Sequence, residues 1–206
     1  MRFAMASSAL VLIVLMAAGC GSAPEEPAVE GSPPEATTPE VPPEALAKAR
    51  QAADALTGEL VATLGRELGA GGPVGAVKVC SEMAPEIAAA HSGDGVTVRR
   101  VTLKVRNPID TPDDYERRVL QDLEAKLVEG ALPPEVAEVV SDDAGSRLRY
   151  LRPLVIKTPC LSCHGDVESM KPELKSILED RYPDDQAVGY EEGDLRGAVS
   201  VTVDLS

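Results

Sequence analysis

Five residues, Cys160-Leu-Ser-Cys-His164, limit what this chain can fold into more than any other stretch. Two thiols separated by two residues can add to the two vinyl groups of a haem, and the adjacent imidazole then reaches the iron from the same side. Cys-x-x-Cys-His is therefore the attachment sequence for c-type haem. A fold that carries it must present a wall to a large, flat, apolar group. Competing chemistries fit less well. A zinc site would take two further ligands of matching type, and outside the run only Cys20, Cys80 and His91 remain. A thioredoxin-like dithiol needs no histidine, and a structural disulfide would leave His164 without a role. One covalent haem c is expected, attached at Cys160 and Cys163, with His164 as an iron ligand.

The N-terminus points to the compartment in which such attachment occurs, outside the cytoplasm. Arg2 precedes the apolar run Leu10-Val-Leu-Ile-Val-Leu-Met16, then the small residues Ala17-Ala18-Gly19, then Cys20. Charge, short apolar core and small-residue site are the parts of an export signal, and the apolar run is too short to favour a membrane span. Small residues directly before a cysteine resemble a bacterial lipobox, in which that cysteine is lipidated and becomes the first residue. Residues 1–19 are read as the signal and Cys20 as the lipid anchor. Residues 20–43 are rich in Pro, Glu, Ala, Ser and Thr, a composition that cannot bury enough apolar area to offset chain entropy, so they form a tether. Residues 44–206 are about one domain in size. The expected location is extracytoplasmic, bound to a membrane by lipid.

Charge and aromatic content narrow the domain further. The formal charge of −14 becomes −15 once Arg2 leaves with the signal, which makes nucleic acid a poor partner. There is no Trp, the single Phe is Phe3, and four Tyr complete the aromatic inventory. Aromatic side chains normally supply much of a core's buried area, so this domain stands to gain from an apolar prosthetic group.

Turn and period signals predict α+β architecture with an antiparallel sheet. Leu46, Ala49, Ala53, Leu56, Leu60 and Leu64 lie near helical spacing and predict a long first helix, terminated by the glycines from Gly69 to Pro73. A second helical stretch from Val74 to Ala90 must kink or restart at Pro85. Val96–Val105 alternates and reads as a strand. A turn over Asp110–Asp114 leads into a helix ending at Val128. Further strands are expected near 136–141, 147–156 and 197–205.

The residue opposite His164 on the iron is open at this level. His, Met, Cys thiolate and Tyr all serve as axial ligands, and the candidates are Cys80, His91, Met83 and Met170. Met170 lies soon after the motif, while Cys80 is an unassigned thiol in an exported chain, which calls for an explanation. Arg106 is the candidate partner of the haem propionates. Arg99 and Arg100 read as surface charge at a strand end, His91 as a helix-end residue, and the acidic run from Asp184 to Glu192 as a solvated loop.

The blocks Val79-Cys80-Ser-Glu-Met-Ala-Pro-Glu-Ile-Ala88, Arg106-Asn-Pro108, Arg152-Pro153, Cys160–Gly165 and Gly193-Asp-Leu-Arg-Gly-Ala-Val-Ser200 together resemble the haem c-binding PAS-like domain of bacterial lipoproteins and of extracytoplasmic parts of sensor kinases. The resemblance runs from about Val74 to Ser206. It implies a PAS-like antiparallel sheet with flanking helices and a haem ligated by His164 and Cys80. Cys80 takes the family's axial position; Cys160, Cys163 and His164 take its attachment positions. Thiolate trans to imidazole stabilises ferric iron and lowers the reduction potential. Low-potential electron transfer or redox sensing with a protein partner is expected, rather than an enzyme. The alternative is sensing of nitric oxide or carbon monoxide by displacement of Cys80.

Overall fold

The computed structural model describes residues 40–143 and 145–205. The expected signal, the Cys20 anchor and nearly all of the tether lie outside them. Among the described residues no helix is long and apolar enough to cross a membrane.

Helix α1 spans Pro43–Lys78, with Pro43 in its first turn, where proline's missing N–H costs nothing. Ala45, Ala49, Ala53 and Leu56 recur at helical spacing and are all buried. Three of the four are alanines, so the helix lies close on the sheet beneath it. Helical backbone fails at Gly72 (φ 65°, ψ −163°), just before Pro73, and then resumes to Lys78. The expected stop thus arrives three residues after Gly69, as a break rather than an end. Glycine alone accepts this conformation at little cost.

Val79–Met83 form a π turn in which the N–H of Ala84 reaches back to the carbonyl of Val79. Pro85, in the first turn of α2 (Ala84–Ala90), has no N–H to give to the preceding turn. The kink expected at Pro85 is therefore a widened turn, and Cys80 sits on it.

Four strands, β1 (Val96–Val101), β2 (Val136–Asp142), β3 (Gly145–Val155) and β4 (Leu195–Asp204), form one sheet in the order β1-β4-β3-β2, every pair antiparallel. Val98, Leu148, Tyr150, Val199 and Val201 on one face pack against α1 and Ile87 of α2. Val101, Leu151 and Ala198 on the other pack against Val119, Leu120 and Leu123 of α3 (Asp114–Val128). The sheet is buried on both faces along its central strand β4. The expected α+β fold, an antiparallel sheet with flanking helices and a long first helix, is what the chain adopts. β1 is shorter than its alternating pattern predicts: the chain leaves the sheet after Val101, where Thr102 turns its N–H to Asp110 and its hydroxyl to the carbonyl of Arg196 at 2.8 Å.

The α3 N-terminus ties helix to sheet. Asp113 accepts from the Glu116 N–H at 2.8 Å and Glu116 accepts from the Asp113 N–H at 2.8 Å, a reciprocal capping box. The other Glu116 oxygen accepts from the Ser200 hydroxyl of β4 at 2.7 Å, in a buried position between Arg99 and Arg149. Glu116→Ala removes a cap and a buried charge-assisted bond together. Urea unfolding is expected to show a loss of about 2–4 kcal/mol; a loss below about 0.5 kcal/mol would show that the tie adds nothing to stability.

Candidate functional site

The attachment run folds as a short 3-10 turn, Thr158–Cys160, followed by the single helical turn α4, Leu161–His164. Two segments hold it. The Tyr190 N–H donates to the His164 carbonyl at 3.0 Å and the Gly189 N–H to the Gly165 carbonyl at 2.8 Å. Glu192 accepts from both the N–H and the hydroxyl of Thr158. The acidic stretch from Asp184 to Glu192 is, as expected, an irregular loop with its acidic residues largely exposed, and it is also a strap over the run, anchored by buried Ala187 and Tyr190.

His164 is the centre of this arrangement. Its Nδ1–H donates to the Ala187 carbonyl at 2.7 Å, because a carbonyl can only accept. That bond fixes the tautomer and leaves the Nε2 lone pair free, the usual arrangement of a metal-ligating imidazole. Tyr190 holds the ring edge-on, with centroids 6.2 Å apart and planes at 89°. Burial, and then the nearby Arg196 and Arg106 charges, push the His164 pKa from 6.5 down to about 3. Its nitrogen is therefore unprotonated at neutral pH.

Cys80 is presented by the π turn. Cys80 and His164 line one cleft with about 510 Å³ between its walls, part of it open to solvent. Irregular π turns recur at functional sites because they aim a side chain that a regular helix would direct elsewhere. Cys80, Cys160 and Cys163 are all free, partly exposed thiols, and burial pushes the Cys163 thiol up. Asn107, also in the cleft, donates to the Cys80 carbonyl at 3.4 Å.

Arg106 has a second task besides lining the cleft. Its side chain is nearly buried, and its guanidinium donates to Asp185 at 2.9 Å, to the Cys163 carbonyl at 2.7 Å and to the Ala187 carbonyl at 3.2 Å. It joins run and strap. Arg100 and Arg196 also line the cleft. Arg100 pairs with Asp110 at 3.1 Å, and burial pushes that carboxyl up despite Arg100, Arg196 and Arg99. Arg196 donates to the Thr102 hydroxyl at 2.7 Å, and burial lowers its pKa. Three guanidinium groups against two carboxylates, Asp110 and the Asp185 that pairs with Arg106, leave one positive charge in surplus in an acidic chain. Arg99 lies on the other sheet face, against Glu116 and the Thr111 carbonyl.

None of the remaining axial candidates lines the cleft. Met83 packs against the α1 core, and Met170 joins Cys163 against the cluster of Val77, Leu174, Leu178 and Tyr182, while His91 caps α2 and pairs with Glu59 at 2.8 Å. Tyr182 and Arg196 belong to the cleft; Arg196 lies within the Gly193–Ser200 block, where nothing singles it out, and none of the blocks that carry the family resemblance contains Tyr182. Tyr182 follows α5 (Pro172–Arg181), a helix whose signal is present in Pro172 at the first turn and in Leu174, Ile177 and Leu178 at helical spacing.

The donor set fits the group that the run implies. Two free thiols, packed beside the cleft rather than lining it, precede a partly buried imidazole with one open nitrogen; a third thiol lines the cleft with that imidazole, and arginines suit an anionic edge. Unliganded, the protein should be acid-sensitive. Folded His164 binds fewer protons than unfolded, so stability falls as pH drops from about 6.5 towards about 3 and the loss then levels off. His164→Gln, which keeps an amide to donate to Ala187, should flatten that slope in unfolding curves taken between about pH 7 and about pH 4. Parallel curves for the two proteins would contradict the buried neutral imidazole.

No functionally curated protein matches the chain. The crystal structure of the cyanobacterial heme-protein Tll0287 is similar: it is 26% identical, covers 81% of this chain and 98% of its own, and superposes with a TM-score of 0.61. The Tll0287-like family model matches residues 35–204, and the chain belongs to that family.

Proposed function

We propose that this protein is an extracytoplasmic haem protein, lipid-anchored at Cys20, that carries one haem c and works in low-potential electron transfer or redox sensing. The observation that supports this reading is that Cys80 and His164 line one cleft, with the imidazole's Nδ1 engaged by Ala187 and its Nε2 left open. The likeness to a heme protein supports it. The haem supplies one-electron exchange between ferric and ferrous iron.

The chain's own residues do the rest. Cys160 and Cys163 would hold the haem by thioethers, each adding its sulphur and hydrogen across a vinyl double bond so that nothing leaves. His164 would hold the iron through Nε2, and its bond to Ala187 raises its basicity. Cys80 would hold it as thiolate, a ligand that supplies electron density and favours the ferric state. Arg100 and Arg196, with Arg106 behind them, would neutralise the propionates. With His164 and Cys80 both holding the iron, substrate would have no place to bind, which fits a carrier or sensor rather than an enzyme. The −14 formal charge points to a basic protein partner.

A second reading, sensing of nitric oxide or carbon monoxide by loss of Cys80, is favoured by the position of Cys80 on a π turn with partial exposure. Rapid reversible electron exchange with small redox proteins supports the carrier; binding of either gas with loss of the thiolate spectrum supports the sensor.

Attachment can be tested directly. After expression with a cytochrome c maturation system, haem should stay on the denatured chain through acid-acetone extraction. Cys160→Ala and Cys163→Ala should each retain one thioether and shift the reduced pyridine adduct spectrum. The double variant should release its haem entirely. Full extraction of haem from the wild-type chain would rule out covalent attachment.

A further inference from the structure

Tyr182 is the buried polar group that the site so far leaves unused. It is 7% exposed, it lines the cleft beside Cys80, and its hydroxyl makes no hydrogen bond. A buried hydroxyl without a partner costs roughly 1–3 kcal/mol, and native structures seldom leave one so unless a ligand completes it. Ser81 is its neighbour, but the Ser81 hydroxyl turns instead to the Lys78 carbonyl at 3.4 Å. Tyr182 and Cys80 line the same cleft, and a phenol O–H is a donor suited to an anionic sulphur.

The surroundings keep the two side chains together. Tyr182 ends α5, its N–H bonded to the Leu178 carbonyl at 2.8 Å, and Pro183 prevents further helix. Its ring packs with Val77, Leu174 and Leu178, which dock α5 on the segment leading to Cys80. Arg181 reaches Glu82 of the same π turn at 2.9 Å. The hydroxyl thus sits on a helix end tied at two points to the turn that presents the thiol.

We propose that the Tyr182 hydroxyl donates a hydrogen bond to the Cys80 thiolate when the cleft holds haem, and so acts as a positioning residue that tunes the axial sulphur. This rests on the His164/Cys80 reading above. A donor on the thiolate withdraws electron density, weakens its preference for ferric iron and raises the potential.

The test compares full-length, haem-loaded wild type with Tyr182→Phe and Cys80→Ala. In Tyr182→Phe the low-spin thiolate signal should persist with changed g values. Its ferric-to-ferrous ratio at fixed poise should rise about tenfold, a fall of about 59 mV for one electron. Deuterium exchange should shift the iron–sulphur stretch of the wild type but not of Tyr182→Phe. The unliganded variant should unfold no more easily than wild type, because the hydroxyl has no partner to lose. Unchanged g values and potential in Tyr182→Phe, with the thiolate signal still dependent on Cys80, would overturn the proposal and leave the ligation intact. A wild-type spectrum that Cys80→Ala does not alter would overturn both.

Discussion

The site depends on a buried cation. Arg106 is anchored by Asp185 and directs its remaining donors to the Cys163 and Ala187 carbonyls, one in the attachment run and one in the strap that crosses it. Isolated, such a charge would be costly to bury; paired and hydrogen-bonded, it is tolerable, and removing a partner is far worse than never having the pair. Its effect is positional. The Ala187 carbonyl that Arg106 holds is the same one that accepts from His164, so one guanidinium sets the strap, the strap sets the tautomer, and the tautomer frees Nε2.

The part of the cleft that carries Cys80 is built by different means. Cys80 is delivered by the widened turn that Pro85 imposes on the end of a long helix, and α5 braces that turn through Arg181 and Glu82. Between the walls, β1 and β4 supply arginines in an otherwise acidic molecule. Their proximity to one another is sustained by Asp110, by Thr102 and by Gly197, whose φ of 146° and lack of a Cβ let β4 run against the Val101 carbonyl. On the proposed reading, the scaffold holds its ligands rigidly and leaves one polar group, Tyr182, to act on the sulphur.

Much of this is legible in the sequence alone. Cys160–His164 states its chemistry in five residues, and Asp113 with Glu116 marks a helix start that the fold places where the capping pattern puts it. What is not legible is non-local. Arg99 and Arg100 are adjacent and alike, and only the register of β1 on β4, with Arg100 opposite Val199, decides which faces the cleft. Tyr182 reaches the site through α5 packing that no local pattern announces, and Arg196, though inside the Gly193–Ser200 block, is assigned to the cleft only by the packing of β4. The acidic strap reads as loop because its composition is polar, while its order comes from bonds to a distant segment. Helix α5 is faint in the sequence because its buried stripe is only two residues wide, Leu174 and Leu178.

The central claim is that Cys80 and His164 share one iron. It is tested most directly by visible and electron paramagnetic resonance spectra of the oxidised, haem-loaded protein beside its Cys80→Ala variant. The account predicts a low-spin thiolate signature in the wild type that disappears in the variant. An unchanged variant spectrum would contradict it, making Cys80 a wall residue only and returning Met83, Met170 and His91 to contention.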